Sequence, residues 1–329
     1  MLVLTKSDMK LLVSMPEAID LMKQVFRELS AGRAVSPLRT VIEARNGTAS
    51  MLVMPAAVPA SAALGFKVVS IFPDNPSKGL PTLNALVTVI DPETGVPLAI
   101  LNGSYVTALR TGAVSGAATG LLARPESRTL VVFGAGKQAV TQAVAVCAVR
   151  PIERIAVVGR STSSLERFRD DIAIEWPDLL DRLDLDVDSR AIRDADVICL
   201  ATTSSTPVFD HADLRPGTHI NGVGSFRPSM QELPSASVAA ATVVVDHFEA
   251  ALEEAGDLIV PINEGLITRD HVKHELGQLV DRSTPLRQSD QDITFFKSVG
   301  NAVQDLVVAS LAVKRAEARG LGQQIDLGE

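Results

Sequence analysis

Gly134-Ala135-Gly136-Lys137-Gln138-Ala139 follows the apolar run TLVVF at 129–133 and opens a stretch of helical character reaching Val149. In a G-x-G-x-x-A turn between a strand and a helix, the first glycine permits the tight turn. The second lets the backbone approach a bound group closely, and the alanine lets the helix close on the sheet. N–H groups in the first helical turn have no internal partner and carry partial positive charge, so the group that suits them is a phosphate. Gly134, Ala135, Gly136, Lys137 and Gln138 are therefore the expected pyrophosphate contacts of a dinucleotide.

The end of the second strand selects the dinucleotide. An Asp or Glu there accepts hydrogen bonds from a ribose 2′-OH. Here RIAVVG runs into Gly159-Arg160-Ser161-Thr162-Ser163-Ser164, with no carboxylate. A guanidinium engages phosphate through parallel hydrogen bonds. Gly159, Arg160, Ser161 and Ser164 thus point to the 2′-phosphate of NADP(H). The alternative is a solvated loop arginine, with NAD(H) as the cofactor. Ligands of open parallel sheets gather at the carboxyl ends of the strands. Ala201-Thr202-Thr203-Ser204 and Gly222-Val223-Gly224-Ser225 end two further apolar runs. Of these, Ala201, Thr202 and Val223 suit a nicotinamide ribose and amide, although plain turns have the same composition.

The elements that must position these residues follow from the pattern. From Thr129 onward strands and helices alternate: TLVVF, a helix over 137–149, RIAVVG, a helix over 165–174, LDLDV, ADVICLAT, GTHINGVG and ATVVVDH. Such alternation builds parallel strands with crossover helices. The chain before it differs. Ser14 and Glu17 form a capping box, with Pro16 in the first turn of a helix that Gly32 ends. LRTVIEA and TASMLVM flank Arg45-Asn46-Gly47, a type I′ hairpin signal, and NALVTVI and PLAILNG flank Asp91-Pro92-Glu93-Thr94-Gly95. Hairpins without helices between them imply an antiparallel sheet. The expected fold is α/β: a Rossmann-type doubly wound parallel sheet over 125–299, preceded by an α+β antiparallel-sheet domain over 1–124. A helix beginning near Thr294, with Val299, Val303, Leu306, Val307, Ser310 and Val313 along one side, is expected to return to the first domain through 300–329.

A chain of 329 residues is long for a single core, which agrees with two domains. The net charge of −8, without a cluster of Lys and Arg, argues against nucleic acid and anionic membranes as partners. No apolar run reaches the ~18 residues that would cross a bilayer, and MLVLTKSDMK lacks the pattern of a secretory signal, so a cytoplasmic location is expected. Cys147 and Cys199 lie in apolar runs and are read as small buried hydrophobes. His271 and His274 are spaced for one face of a helix, but no further ligand set accompanies them; they are read as surface residues, and no metal is expected.

Lys67 stands in the apolar run ALGFKVVSIF, where a buried ammonium without a partner is costly. Its residue type alone leaves open whether that partner is functional or structural. Taken together, several runs resemble the ornithine cyclodeaminase/mu-crystallin family. They are Gly65-Phe66-Lys67, Gly79-Leu80-Pro81-Thr82, the Asp91–Gly95 turn, Thr107-Ala108-Leu109-Arg110-Thr111-Gly112, the glycine-rich turn, His219-Ile220-Asn221 and Phe296-Lys297-Ser298-Val299-Gly300. The resemblance runs in order from about Leu4 to the C-terminal helix.

It implies a homodimer whose first domain binds substrate and dimerises, and hydride transfer at the carbon bearing nitrogen in amino or cyclic imino acids. It further implies that Arg39 and Arg110 clamp a substrate carboxylate, that Lys67 sits beside the reacting carbon and nitrogen, and that Ser225 contributes to the substrate site. Thr82, Leu83, Arg110, Thr111, Val223, Lys297 and Ser298 are implied as cofactor contacts. The leading expectation is an NADPH-dependent reductase of a pyrroline- or piperideine-2-carboxylate. An amino-acid cyclodeaminase that recycles NAD is the second, and a nucleotide-retaining ligand-binding protein like mu-crystallin the third. The cyclodeaminases of this family carry an aspartate after the fifth Rossmann strand, and Phe226 falls at that position here. A phenyl ring cannot deprotonate an ammonium, which favours imine reduction unless a neighbouring acid such as Glu232 substitutes.

Overall fold

The structure, a computed structural model, describes every residue except Asp186 and Glu329. The chain divides into two compact units, Met1–Arg110 with Asn301–Glu329, and Thr111–Gly300.

In the first unit, the described residues form a seven-stranded sheet in the spatial order Gln323–Gln324, Leu2–Leu4, Pro97–Asn102, Leu83–Ile90, Ala63–Ile71, Ala49–Val58, Thr40–Ala44. The hairpins anticipated from Arg45–Gly47 and Asp91–Gly95 are present. In the first, Gly47 N–H donates to the Ala44 carbonyl, so Arg45 and Asn46 are the central residues, both at positive φ. The type I′ twist therefore sits one residue earlier than an Asn-Gly centre would place it. In the second, the Asp91 carboxylate accepts the N–H groups of Glu93 and Thr94, which folds the chain before Gly95. The sheet is not wholly antiparallel, because Leu2–Leu4 pairs parallel with Pro97–Asn102. That segment is too short to show a strand period, and the chain between the two parallel strands runs through the helices Lys6–Leu12 and Met15–Ser30 and the four antiparallel strands that follow them.

One side of this sheet carries the helix Ala302–Arg319, which lies on Ala49–Val58, Ala63–Ile71 and Leu83–Ile90. The helix Met15–Ser30 packs on it in turn, entered through the Ser14–Glu17 capping box. Arg315 ties the two helices by donating to Glu17 at 2.6 Å and to the Leu12 carbonyl at 2.6 Å. Burial alternates along Ala63–Ile71, so residues 63, 65, 67 and 69 face the covered side. A Cβ on Gly65 would come within 2.0 Å of the Thr88 carbonyl oxygen and 3.2 Å of Leu306. A side chain there would break the pairing with the strand Leu83–Ile90 and crowd the helix above it.

In the second unit, the described residues form an eight-stranded sheet, parallel throughout, in the order 272–275, 242–245, 294–297, 219–222, 197–200, 129–133, 154–158, 183–184. Strands covered on both faces need apolar residues at every position. Val131, Ile198, Leu200, Ile220, Val243 and Phe295 provide the core. Of the expected strand LDLDV, Leu183–Asp184 is observed and Asp186 lies outside the described residues.

Three features differ from the sequence expectation. The C-terminal helix starts at Ala302 rather than near Thr294, because Thr294–Lys297 is a strand paired on both sides. Its β-branched and aromatic residues fit a central parallel strand, and Gly300 at positive φ with Asn301 as cap begins the helix afresh. The division between units falls inside the helix Gly103–Leu122 rather than at 124. That helix is apolar nearly all round and gives no composition break. Finally, His271 closes a short 3-10 turn and His274 lies on the edge strand Val272–Glu275, so the two do not share a helix face.

Candidate active site

Within the first unit, Lys67 and Arg110 converge on one carboxylate, that of Asp305. Lys67 Nζ donates to Asp305 Oδ2 at 2.6 Å, and Arg110 Nε donates to Oδ1 at 3.2 Å. Arg110 Nη1 also donates to Gln304 Oε1 at 2.7 Å. All four side chains are buried. Each element contributes through its period. Lys67 lies on the covered face of its strand, Arg110 on the helix Gly103–Leu122, and Gln304 and Asp305 in the first turn of Ala302–Arg319. The capping box of that last helix orients Gln304, whose Oε1 also accepts the Asn301 N–H at 2.8 Å.

The electrostatics favour a mobile proton on Lys67. Burial lowers its pKa to about 7, helped by the cations of Arg110 and, more weakly, Arg39, and opposed by Asp305. Arg39 is half-buried just before the strand Thr40–Ala44, and its charge bears on Lys67. Thr82 lies exposed in this unit, and its carbonyl accepts the Phe72 N–H; Leu83 begins the next strand.

In the second unit, Gly134 has φ +102°, and a Cβ there would meet the Ala201 carbonyl at 2.5 Å. Gly136 caps the helix Lys137–Val149, and a Cβ on it would meet open space, which leaves the backbone accessible. Ala139 is fully buried against the sheet. Gln138 Oε1 is buried in the first helical turn without a partner among the described residues. These features fit a phosphate-bearing cofactor, with unpaired helix N–H groups as donors. Arg160 is exposed and makes no hydrogen bond or ion pair among the described residues. Ser161 and Ser164 are partly engaged already, since Ser161 Oγ caps Thr162–Glu175 through the Ser164 N–H and Ser164 Oγ donates to the Ser161 carbonyl.

At the strand ends, Ala201 N–H donates to the Phe133 carbonyl and Val223 N–H to that of Leu200. Thr202 N–H donates to Glu232 Oε1 at 2.6 Å and Ser225 N–H to Oε2 at 2.9 Å. Both oxygens of Glu232 are thereby used by backbone. Ser225 Oγ donates inward to the Met230 carbonyl, and Lys297, fully buried, donates to Asp257 Oδ2 at 3.0 Å. Ser298 Oγ donates to Asp246 at 2.7 Å, and Thr111 accepts from Gln142 through its carbonyl. The polar groups of Ser225, Lys297 and Ser298 are therefore occupied by internal bonds. Sequence reasoning missed Asp305, Gln304, Asp257 and Asp246. The one available signal was an acid at Asp305 beside the apolar positions Leu306 and Val307 of a helix.

Among the described residues no helix is long and apolar enough to cross a membrane. The profile of the ornithine cyclodeaminase/mu-crystallin family matches residues 1–320. A Delta(1)-pyrroline-2-carboxylate reductase of Bacillus cereus strain ATCC 10987 is 44% identical over 329 residues, which span 99% of this chain and 100% of that protein. The Thermococcus litoralis Delta(1)-pyrroline-2-carboxylate reductase, solved in complex with NADH and L-proline, matches at TM-score 0.94 and 40% identity over 99% of this chain and 100% of its own. An archaeal alanine dehydrogenase dimer with bound NAD matches at TM-score 0.91 and 32% identity, with 99% of each chain covered.

Removing Asp305 leaves two buried cations facing each other. Asp305→Ala is expected to cost about 3–5 kcal/mol of stability by urea unfolding, the usual loss when one partner of a buried pair is deleted. Lys67→Met combined with Asp305→Leu should recover part of that loss, because one of the two uncompensated cations goes with the carboxylate, while Arg110 keeps its bond to Gln304. Additive losses in the double variant would show that the pair is not coupled.

Proposed function

The chain belongs to the ornithine cyclodeaminase/mu-crystallin family, and from that premise we propose that it reduces Delta(1)-pyrroline-2-carboxylate to L-proline with a nicotinamide dinucleotide. The observation that carries this reading is the buried ammonium of Lys67 held beside the guanidinium of Arg110 on one carboxylate. A cyclic imine bearing a carboxylate needs those two groups: a cation for its carboxylate and a proton donor for its nitrogen.

When bound, the reduced dinucleotide supplies the hydride that adds to the carbon of the C=N bond. As that carbon gains the hydride, the π electrons move onto nitrogen, and the Lys67 ammonium gives its proton there to complete the secondary amine. Arg110, with Arg39, holds the substrate carboxylate in a fixed orientation. Asp305 touches neither reacting atom in this scheme. It is a positioning residue that holds Lys67 and Arg110 in one geometry. Reduction is favoured over cyclodeamination by Phe226, whose ring has Arg227 above it at 5.7 Å from the centroid. Glu232 is a poor substitute for the missing aspartate, since two backbone N–H groups take its oxygens.

Arg160 and the acid-free corner beside it support NADPH as the preferred cofactor, with NADH as the alternative. A homodimer fits the edge strand Thr40–Ala44, where Val41 is 55% and Ile42 48% exposed, and Leu86, also 55% exposed, on the same sheet. Unpaired strand edges with apolar side chains call for a partner.

A spectrophotometric assay of dinucleotide oxidation with Delta(1)-pyrroline-2-carboxylate, its six-membered homologue and L-ornithine tests the reading. Turnover of the imines without proline formation from ornithine is expected. Lys67 is protonated below about pH 7 and loses its proton above it, so kcat/KM should fall as pH rises through that value. Lys67→Met should lose most turnover while still binding dinucleotide. Near wild-type kcat in that variant would remove Lys67 from the mechanism.

For the cofactor, kcat/KM should favour NADPH, and Arg160→Asp should reverse the preference by about ten- to hundred-fold, the usual effect of losing a charge-assisted phosphate contact. Equal efficiency with both cofactors in the unmodified protein would refute the 2′-phosphate assignment. Light scattering at micromolar concentration should give twice the 34.8 kDa chain mass; a value at the chain mass would refute the dimer.

A further inference from the structure

We infer that Glu232 is a positioning residue of the dinucleotide site: its carboxylate ties the turn after Val197–Leu200 to the turn after His219–Gly222 and sets the shape that both present to the cofactor. This rests on the dinucleotide reading proposed above. The tie is short, at 2.6 Å from Thr202 N–H and 2.9 Å from Ser225 N–H, and Glu232 is fully buried. Gly224 between those turns has no room for a side chain, since a Cβ would lie 2.4 Å and 2.5 Å from the two Glu232 oxygens and 2.3 Å from the Thr202 carbonyl. The backbone of Glu232 is itself held from behind. Asp257 Oδ1 accepts the N–H groups of Glu232 and Leu233 at 2.7 and 3.0 Å, its N–H donates to Ser225 Oγ, and its Oδ2 accepts from Lys297.

Two N–H donors require two acceptor oxygens, which only the ionised form provides fully. A protonated carboxyl turns an O–H toward one donor and gives up that bond. The charged groups bearing on Glu232 are Asp257 and Lys297. Burial, then Asp257, raise its pKa to about 7 against the pull of Lys297 and the Thr202 N–H. Loop geometry, and with it dinucleotide affinity, is therefore linked to pH near neutrality, and affinity strengthens as pH rises.

The test is fluorescence titration of the full-length protein with NADH, which has no 2′-phosphate to titrate, from pH 6 to 8.5. The unmodified protein should bind about tenfold more weakly at pH 6 than at pH 8, the equivalent of about one hydrogen bond to a charged group. Glu232→Gln should bind weakly with no such pH dependence. Asp257→Asn should move the midpoint to lower pH, because removing an anion eases ionisation of Glu232. Melting temperatures are measured alongside. A lower melting temperature in Glu232→Gln with NADH affinity unchanged at pH 8 would reduce Glu232 to a purely structural part and overturn the inference. So would a flat profile in the unmodified protein, a result that stands even if the variants fail to fold. Absence of NADH and NADPH binding at every pH would instead defeat the dinucleotide reading on which the inference rests.

Discussion

Asp305 imposes the constraint on which the first unit depends. A carboxylate buried with an ammonium and a guanidinium repays its desolvation only when the distances are short and the remaining oxygens are bonded. Meeting that condition fixes three elements at once: the strand of Lys67, the helix of Arg110 and the C-terminal helix that brings Asp305 back across 238 residues of sequence. The tolerance is small. A shift of one residue along the strand would turn Lys67 to the opposite face, and Gly65 leaves no slack between the strand and Leu306. The capping of Ala302–Arg319, the Arg315–Glu17 tie and the packing of Met15–Ser30 all serve to hold that register.

How much of this was legible follows from the range of each interaction. The parallel sheet, the glycine turn and the helix Lys137–Val149 could be read because their signals lie within a few residues of each other. So could the two hairpins, whose turn residues specify them locally. The residue pattern extends the C-terminal helix back to Thr294 because three apolar or β-branched residues ahead of a long helical pattern carry no period of their own. What identifies that strand is pairing with 219–222 and 242–245, which is tertiary. Asp305 was missed for a similar reason. A lone acid near a helix start also suits a solvated first turn, and only the folded chain brings Lys67 to it. Lys67 itself could be singled out because an ammonium in an apolar run demands a partner, even when the partner is not evident.

The two units store charge with opposite signs. In the first, Lys67 and Arg110, with Arg39 bearing on Lys67, outnumber the single carboxylate of Asp305. In the second, Glu232 and Asp257 outnumber Lys297. Each surplus is held in a buried setting, where unbalanced charge shifts protonation rather than persisting. Burial first and then Arg110 depress Lys67, burial first and then Asp257 raise Glu232, and both groups arrive near neutrality from opposite directions.

For the proposed chemistry the positive surplus has a consequence. A substrate carboxylate entering beside Arg110 and Arg39 supplies the anion that the first unit lacks, and an added anion favours the charged form of a neighbouring ammonium. Lys67 therefore binds its proton more tightly with substrate present than without it, and by linkage substrate binds more tightly to the protonated enzyme. The proton that the imine nitrogen will need is thus drawn in by the carboxylate on the same molecule. An imine without that carboxylate would find Lys67 closer to its unprotonated state and Arg110 without a partner for its remaining donors. Under the proposed scheme, selection for an acid-bearing imine then follows from the same excess of positive charge that, together with burial, gives Lys67 a proton it can release.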